Sequence, residues 1–100
     1  MIRIVKMTFA EAHQESFVAH FEEIKERIKA FPGCSKLALV RSKSDRGVFF
    51  TISEWESEEA LAAYRTSTLF QSTWAKVKPM FAAKAEAWST ETIWAAPKFV

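Results

Sequence analysis

One hundred residues, with 14 Lys and Arg against 12 Asp and Glu interspersed along the chain, carry a net charge of +2 and no basic stripe, so the electrostatic footprint of a nucleic-acid binder is missing. The length suits one domain with one core. No apolar run approaches the ~18 residues that span a bilayer, and Arg3 and Lys6 interrupt the N-terminus where a signal peptide would be continuously apolar, so the chain reads as cytoplasmic, with no membrane partner.

The stretch Ile2–Phe9 puts Arg3, Val5, Met7 and Phe9 on one face and Ile2, Ile4, Lys6 and Thr8 on the other, which predicts a strand covered at least partly on both sides. Over residues 11–31 the period lengthens: Phe17, Phe21, Ile24, Ile28 and Phe31 follow at steps of four, three, four and three. That is the apolar stripe of an amphipathic helix. Glu22, Glu23, Lys25, Glu26 and Lys29 fall on its wet side. His13 and His20 lie at the edge of the stripe, where an imidazole either shuttles a proton at a pocket border or sits as a boundary residue with one nitrogen in water. Pro32 and Gly33 stop the helix, because Pro disfavours helical geometry in the residue before it and Gly supplies a turn. Cys34, the only cysteine, can form no internal disulfide and reads as a small packed residue more readily than as a nucleophile.

Residues 36–41 and Val48–Trp55 are two strands of a hairpin, joined by a polar loop that ends in Gly47. Ser57 is placed to cap the next helix, with Glu58 and Glu59 in its first turn, where negative charge complements the helix dipole. That helix breaks near residues 66–68. Thr68 and Gln71 match a capping box, which starts a second piece at Thr68 that runs to Lys78 before Pro79 and carries Phe70, Trp74 and Val77 on its apolar face. Residues 81–94 read as the last strand, with Ala83, Ala85 and Ala87 on the face where a helix backbone comes close, and Lys84, Glu86 and Trp88 on the other. The order β-α-β-β-α-β is the ferredoxin-like split βαβ arrangement, an α+β fold with two helices on one face of a four-stranded antiparallel sheet. Residues 1–94 form the domain. Residues 95–100 are a tail whose Pro97 and Phe99 would be ordered only by docking, as on a partner subunit.

Two helices cover one face of the sheet only, yet Ile2, Ile4, Phe49 or Phe50, Trp88 and Trp94 fall on the opposite phase. A patch of that kind exceeds what a monomer tolerates, so a homodimer packed sheet against sheet is expected. The alternative scatters the tryptophans along loop edges.

Residues 53–74 concentrate Trp55, Tyr64, Phe70 and Trp74 in one short span. A strand closing in Glu54, then Trp55-Glu56-Ser57, an aromatic nine residues past the Trp, a Ser and Phe70, together with the turn Phe31-Pro32-Gly33-Cys34, resembles the antibiotic biosynthesis monooxygenase family and its dimeric α/β-barrel relatives over residues 2–88. The resemblance implies a barrel-like dimer with a pocket inside each subunit between sheet and helices. Its lining here would come from Met7 and Phe9 on the first strand, the inward side of the first helix with His20 at its border, and Tyr64, Phe70 and Trp74. Such a site is mostly apolar with few polar groups. Tyr64, the only tyrosine, takes the place where many relatives carry His, which makes its hydroxyl the donor to a bound phenol, quinone or flavonoid-like ring and the best catalytic candidate. The alternative is that this hydroxyl only satisfies a backbone carbonyl.

The haem-degrading branch of the family uses an Asn on the first strand, a Trp on the second helix and an axial His. Those places correspond here to Met7, Tyr64 and Trp74, so the resemblance implies no haem. Two His without an acidic partner at suitable spacing and one remote Cys make neither a zinc nor a non-haem iron site. No metal and no cofactor are expected. The cofactor-independent branch oxidises phenols or hydroquinones, the substrate anion itself reducing dioxygen in a dry pocket. A monooxygenase for a small aromatic hydroxyl compound is therefore implied, with a non-catalytic module binding a hydrophobic ligand as the alternative.

Overall fold

In the computed structural model, which describes residues 1–97, the strands β1 (Ile2–Phe9), β2 (Cys34–Arg41), β3 (Val48–Trp55) and β4 (Phe81–Thr90) form an antiparallel four-stranded sheet in the order β2-β3-β1-β4. The helix α1 (Gln14–Lys29) and a second helix broken into α2 (Glu58–Arg65) and α3 (Thr68–Val77) lie on one face. This is the ferredoxin-like α+β arrangement expected from the element order. The role expected of Phe99 lies outside the described residues.

The helix-facing phase of β1 supplies Met7 and Phe9, which join Phe17 of α1, Phe49 of β3 and Val77 of α3 in a buried cluster. Phe9 stacks on Phe17 with ring centroids 4.2 Å apart, and Phe49 meets both rings edge-on. Pairing settles which of the adjacent phenylalanines turns inward: Phe49 lies opposite Met7 and is buried, while Phe50 lies opposite Lys6 on the other face. On that outer face Ile4 pairs with Ile52 and Trp88, and Ile52 with Ala38. Val40 and Trp88 there are 43% and 44% exposed.

The turn after α1 depends on Gly33, whose φ of +90° side chains rarely adopt and where a Cβ would lie 2.5 Å from that of Ala60. Its carbonyl accepts from Glu56 N at 2.9 Å, which draws the start of α2 against the turn. At the other end of the hairpin, Arg41 closes the loop through Nε on Arg46 O at 2.7 Å. It then reaches α1 through Gln14 Oε1 at 2.9 Å and Glu15 at 3.3 Å, with its guanidinium over the Phe49 ring.

Several element ends differ from expectation for local reasons. Residues 11–13 form a 3₁₀ turn, so the α-helix begins only at Gln14, and it ends at Lys29 rather than at Phe31. Strand β2 starts at Cys34 because it pairs with Trp55 there. The N-cap of α3 is Ser67, not Thr68: Ser67 is extended, and its Oγ accepts from Phe70 N at 3.1 Å. Gln71 reaches Thr66 O instead of completing a capping box. That helix closes at Val77, and Pro79 sits in a 3₁₀ turn. Strand β4 stops at Thr90, opposite Ile2, where its pairing with β1 ends. Trp94 is therefore not on the sheet and is 82% exposed.

Candidate functional site

The space between sheet and helices is filled at one end and hollow at the other, and the side chains on the sheet decide which. At the filled end stand Phe9, Phe49 and Phe81. At the other, Val5 is flanked across the strands by Thr51 and Ala87, and Arg3 by Ser53 and Ser89. Small side chains there leave a cavity of about 270 Å³, near the lower end of the ~300–1,000 Å³ typical of ligand sites. Ala85 and Ala87 thus open space under the helices instead of admitting a helix backbone, whereas Ala83, opposite Thr8 after a register shift in β4, does not line it.

Aromatic rings form one wall. Tyr64 stacks on Trp55 at 5.0 Å and 26°, with Phe31 and Phe70 edge-on to it, and Phe70 in turn stacks on Trp74 at 5.8 Å and 9°. Ser67 holds this arrangement from behind. Its hydroxyl donates to Tyr64 O at 2.6 Å and accepts from Phe70 N, so one side chain ties the end of α2 to the start of α3. The deeper Trp55 donates its indole N–H to Ser53 Oγ at 2.9 Å, and this leaves the Ser53 hydroxyl proton available to the cavity.

The Tyr64 hydroxyl makes no hydrogen bond within the described residues. Burial first, and then the neighbouring Cys34, push its pKa up to about 12, so at neutral pH it is a neutral donor and not a phenolate base. Among the described residues no backbone carbonyl takes up this hydroxyl.

Of the residues expected at the site, the fold brings Met7, Tyr64, Phe70 and Trp74 together around the cavity. Phe9 does not reach it, being buried in the phenylalanine cluster that closes the filled end. His20 does not line it either. Both of its ring nitrogens are buried without a hydrogen-bond partner, and its pKa is lowered by burial first and then by Lys76 and Arg27 against Glu23. His13 sits exposed in the 3₁₀ turn. Arg3 and Arg65 also line the cavity, although periodicity did not single them out. The available signal was an arginine sharing the inward phase with Val5 and Met7.

Among the lining residues no imidazole or thiol is present, and Trp74, at the place of the axial ligand, offers only an N–H donor. The site does not fit haem. Among the described residues, no three of His, Cys, Asp and Glu converge as metal ligands, and no helix is long and apolar enough to cross a membrane.

A family model for antibiotic biosynthesis monooxygenases matches residues 1–76. Among solved structures, Rv0793 from Mycobacterium tuberculosis matches with a TM-score of 0.86 at 17% identity, covering 95% of this chain and 96% of that one. A provisionally named antibiotic biosynthesis monooxygenase from Nitrosomonas europaea gives 0.86 at 15% identity over 93% and 98% of the two chains. Another so named, from Caulobacter crescentus CB15, gives 0.82 at 22% identity over 90% and 89%. At these identities the likeness speaks for the fold alone. No curated protein matches the chain by sequence. The family match spans the first three strands, α1, α2 and most of α3, which are the elements that carry the aromatic wall, and the chain therefore belongs to the antibiotic biosynthesis monooxygenase family.

Proposed function

We propose that the cavity binds a small aromatic hydroxyl compound and that the protein is a cofactor-independent monooxygenase for it, working as a cytoplasmic homodimer packed sheet against sheet. The observation that carries this reading is the Tyr64 hydroxyl, kept protonated and unpartnered in a wall of stacked rings. A ring laid against Trp74 and Phe70 would present its oxygen to that donor, and the apolar surroundings would strengthen the bond. In the reaction a doubly aryl-substituted methylene is oxidised to a carbonyl, or a hydroquinone is oxidised to a quinone with one ring C–H converted to C–OH. One atom of dioxygen enters the product and the other leaves as water, and the substrate supplies all four electrons.

A second reading is favoured by one feature of the wall. Its titratable side chains are Arg3, Tyr64, Arg65 and Glu86, and the Glu86 carboxylate is turned to Lys6 at 3.9 Å. No base stands ready to take a substrate proton, which suits a non-catalytic binding protein equally well. Oxygen-electrode measurements with hydroquinones and anthrones separate the two. Consumption that rises in proportion to added protein supports the oxygenase, and consumption no faster than in buffer leaves only the binding module.

A further inference from the structure

We propose that the occupant of the cavity carries an acid group on its aromatic ring system, a carboxylate held at the cavity mouth by Arg3 and Arg65. This rests on reading the cavity as an aromatic-binding site and adds the charge of what it binds.

Arg3 stands on the helix-facing phase of β1, and Arg65 is the last residue of α2. Both line the cavity; Arg65 is exposed, and the Arg3 guanidinium bonds to the exposed Ser89, which sets both residues at its mouth and not in its depth. They are close enough to feel each other: the Arg3 pKa is lowered by burial first and then by the charge of Arg65. The partner that Arg3 does have is neutral, since Nη1 donates to Ser89 Oγ at 3.0 Å.

Among the described residues no counter-ion is supplied to the two arginines. Among the described residues the ion pairs join Lys6 to Glu86, Lys25 to Glu22 and Arg41 to Glu15, and neither Arg3 nor Arg65 takes part in one. Glu86 borders the cavity but is engaged with Lys6. Tyr64 keeps its proton, so it contributes no negative charge.

Two cations at a partly buried mouth without an anion oppose each other, and a bound anion relieves that. Guanidinium forks suit a planar carboxylate, which they grip through paired hydrogen bonds. The remaining wall determines what the carboxylate is attached to. An inorganic anion would satisfy the arginines and leave the surface of Trp55, Tyr64, Phe70 and Trp74 uncovered, whereas an aromatic acid covers both.

The test compares hydroxynaphthoic acid with its methyl ester, which keeps the rings and the hydroxyl and loses the charge. Binding is followed by calorimetry and by quenching of tryptophan fluorescence. The acid is expected to bind about tenfold more tightly than the ester, as for a hydrogen-bonded charge, with the advantage shrinking as salt is raised. Arg3→Gln and Arg65→Gln should each bring the affinity of the acid down toward that of the ester. Arg65 is exposed, so its variant keeps the test alive if Arg3→Gln folds poorly. Equal binding of acid and ester overturns the charge assignment while leaving the aromatic site standing. Binding of neither overturns both.

Discussion

Tyr64 and His20 are both partly buried polar residues of the helix layer, yet Tyr64 lines the cavity and His20 does not. Because the Tyr64 hydroxyl has no partner among the described residues, Tyr64→Phe should leave the melting temperature nearly unchanged while weakening the binding of a phenolic ligand by ~1–3 kcal/mol. A loss confined to stability would remove Tyr64 from the site. As the only tyrosine, it can also be titrated alone by the near-ultraviolet absorbance of its phenolate. The transition should fall at about 12 in the folded protein against 10.0 for the free side chain. Within that window the unfolded chain has released the proton and the folded chain has not, so stability should decline as pH rises through it and be insensitive to this group below it. His20 has the opposite sign. Its folded pKa lies below 6.5, so its neutral form is preferred and stability is lost as pH falls through the unfolded value. Replacing it removes both the unpaired nitrogens and the titration. His20→Leu should raise stability by about 1 kcal/mol near neutrality and by more in mild acid, measured by urea unfolding at both. An unchanged pH dependence would mean that the imidazole finds a partner in solution.

At the scale of elements, the break between α2 and α3 shapes the aromatic wall, because it turns Tyr64 and Phe70 toward each other, 5.2 Å between centroids. Serine caps start both pieces, and the second of them sits at the break. Ser57 Oγ accepts from Ala60 N at 3.1 Å, and Ser67 Oγ both accepts from Phe70 N and donates to Tyr64 O. Loss of a helix N-cap typically costs ~1 kcal/mol. Ser67→Ala should therefore lower stability by about that amount, whereas Thr68→Ala, one residue inside the helix and exposed, should change it little. Comparing the two melting temperatures checks the assignment, and a larger effect at Thr68 would return the cap to the residue that spacing alone favoured.

For the whole molecule, the apolar outer face of the sheet is the main unanswered demand of the fold. Ile4, Ile52, Ala38 and Trp88 form one row across all four strands, with Phe50 and Val40 in the next. Light scattering at micromolar concentration should give about twice the 11.4 kDa chain mass. Ile52→Lys, at the centre of that row, should yield a folded chain of monomer mass because a charge there cannot be desolvated against a second sheet. A wild-type monomer would show that the face is covered in some other way.

The element order, the inward phase of β1, the apolar stripe of α1 and the broken second helix were legible in the sequence, because each follows from short-range periodicity, a cap or a Pro-Gly stop within a few residues. So was most of the aromatic wall, whose members lie close together in the chain. Three things required the tertiary structure. Which of Phe49 and Phe50 turns inward depends on strand register, since β3 is apolar on both phases. Where β4 ends depends on how far its pairing with β1 runs, and that pairing stops at Ile2 opposite Thr90, which puts Trp94 off the sheet. The cavity itself depends on small side chains at Val5, Thr51 and Ala87, far apart in sequence and adjacent only through pairing. The same long-range pairing brings Arg3 to the cavity that Arg65 also borders. No local pattern encodes an empty space or the meeting of two like charges, because both are properties of packing between distant segments.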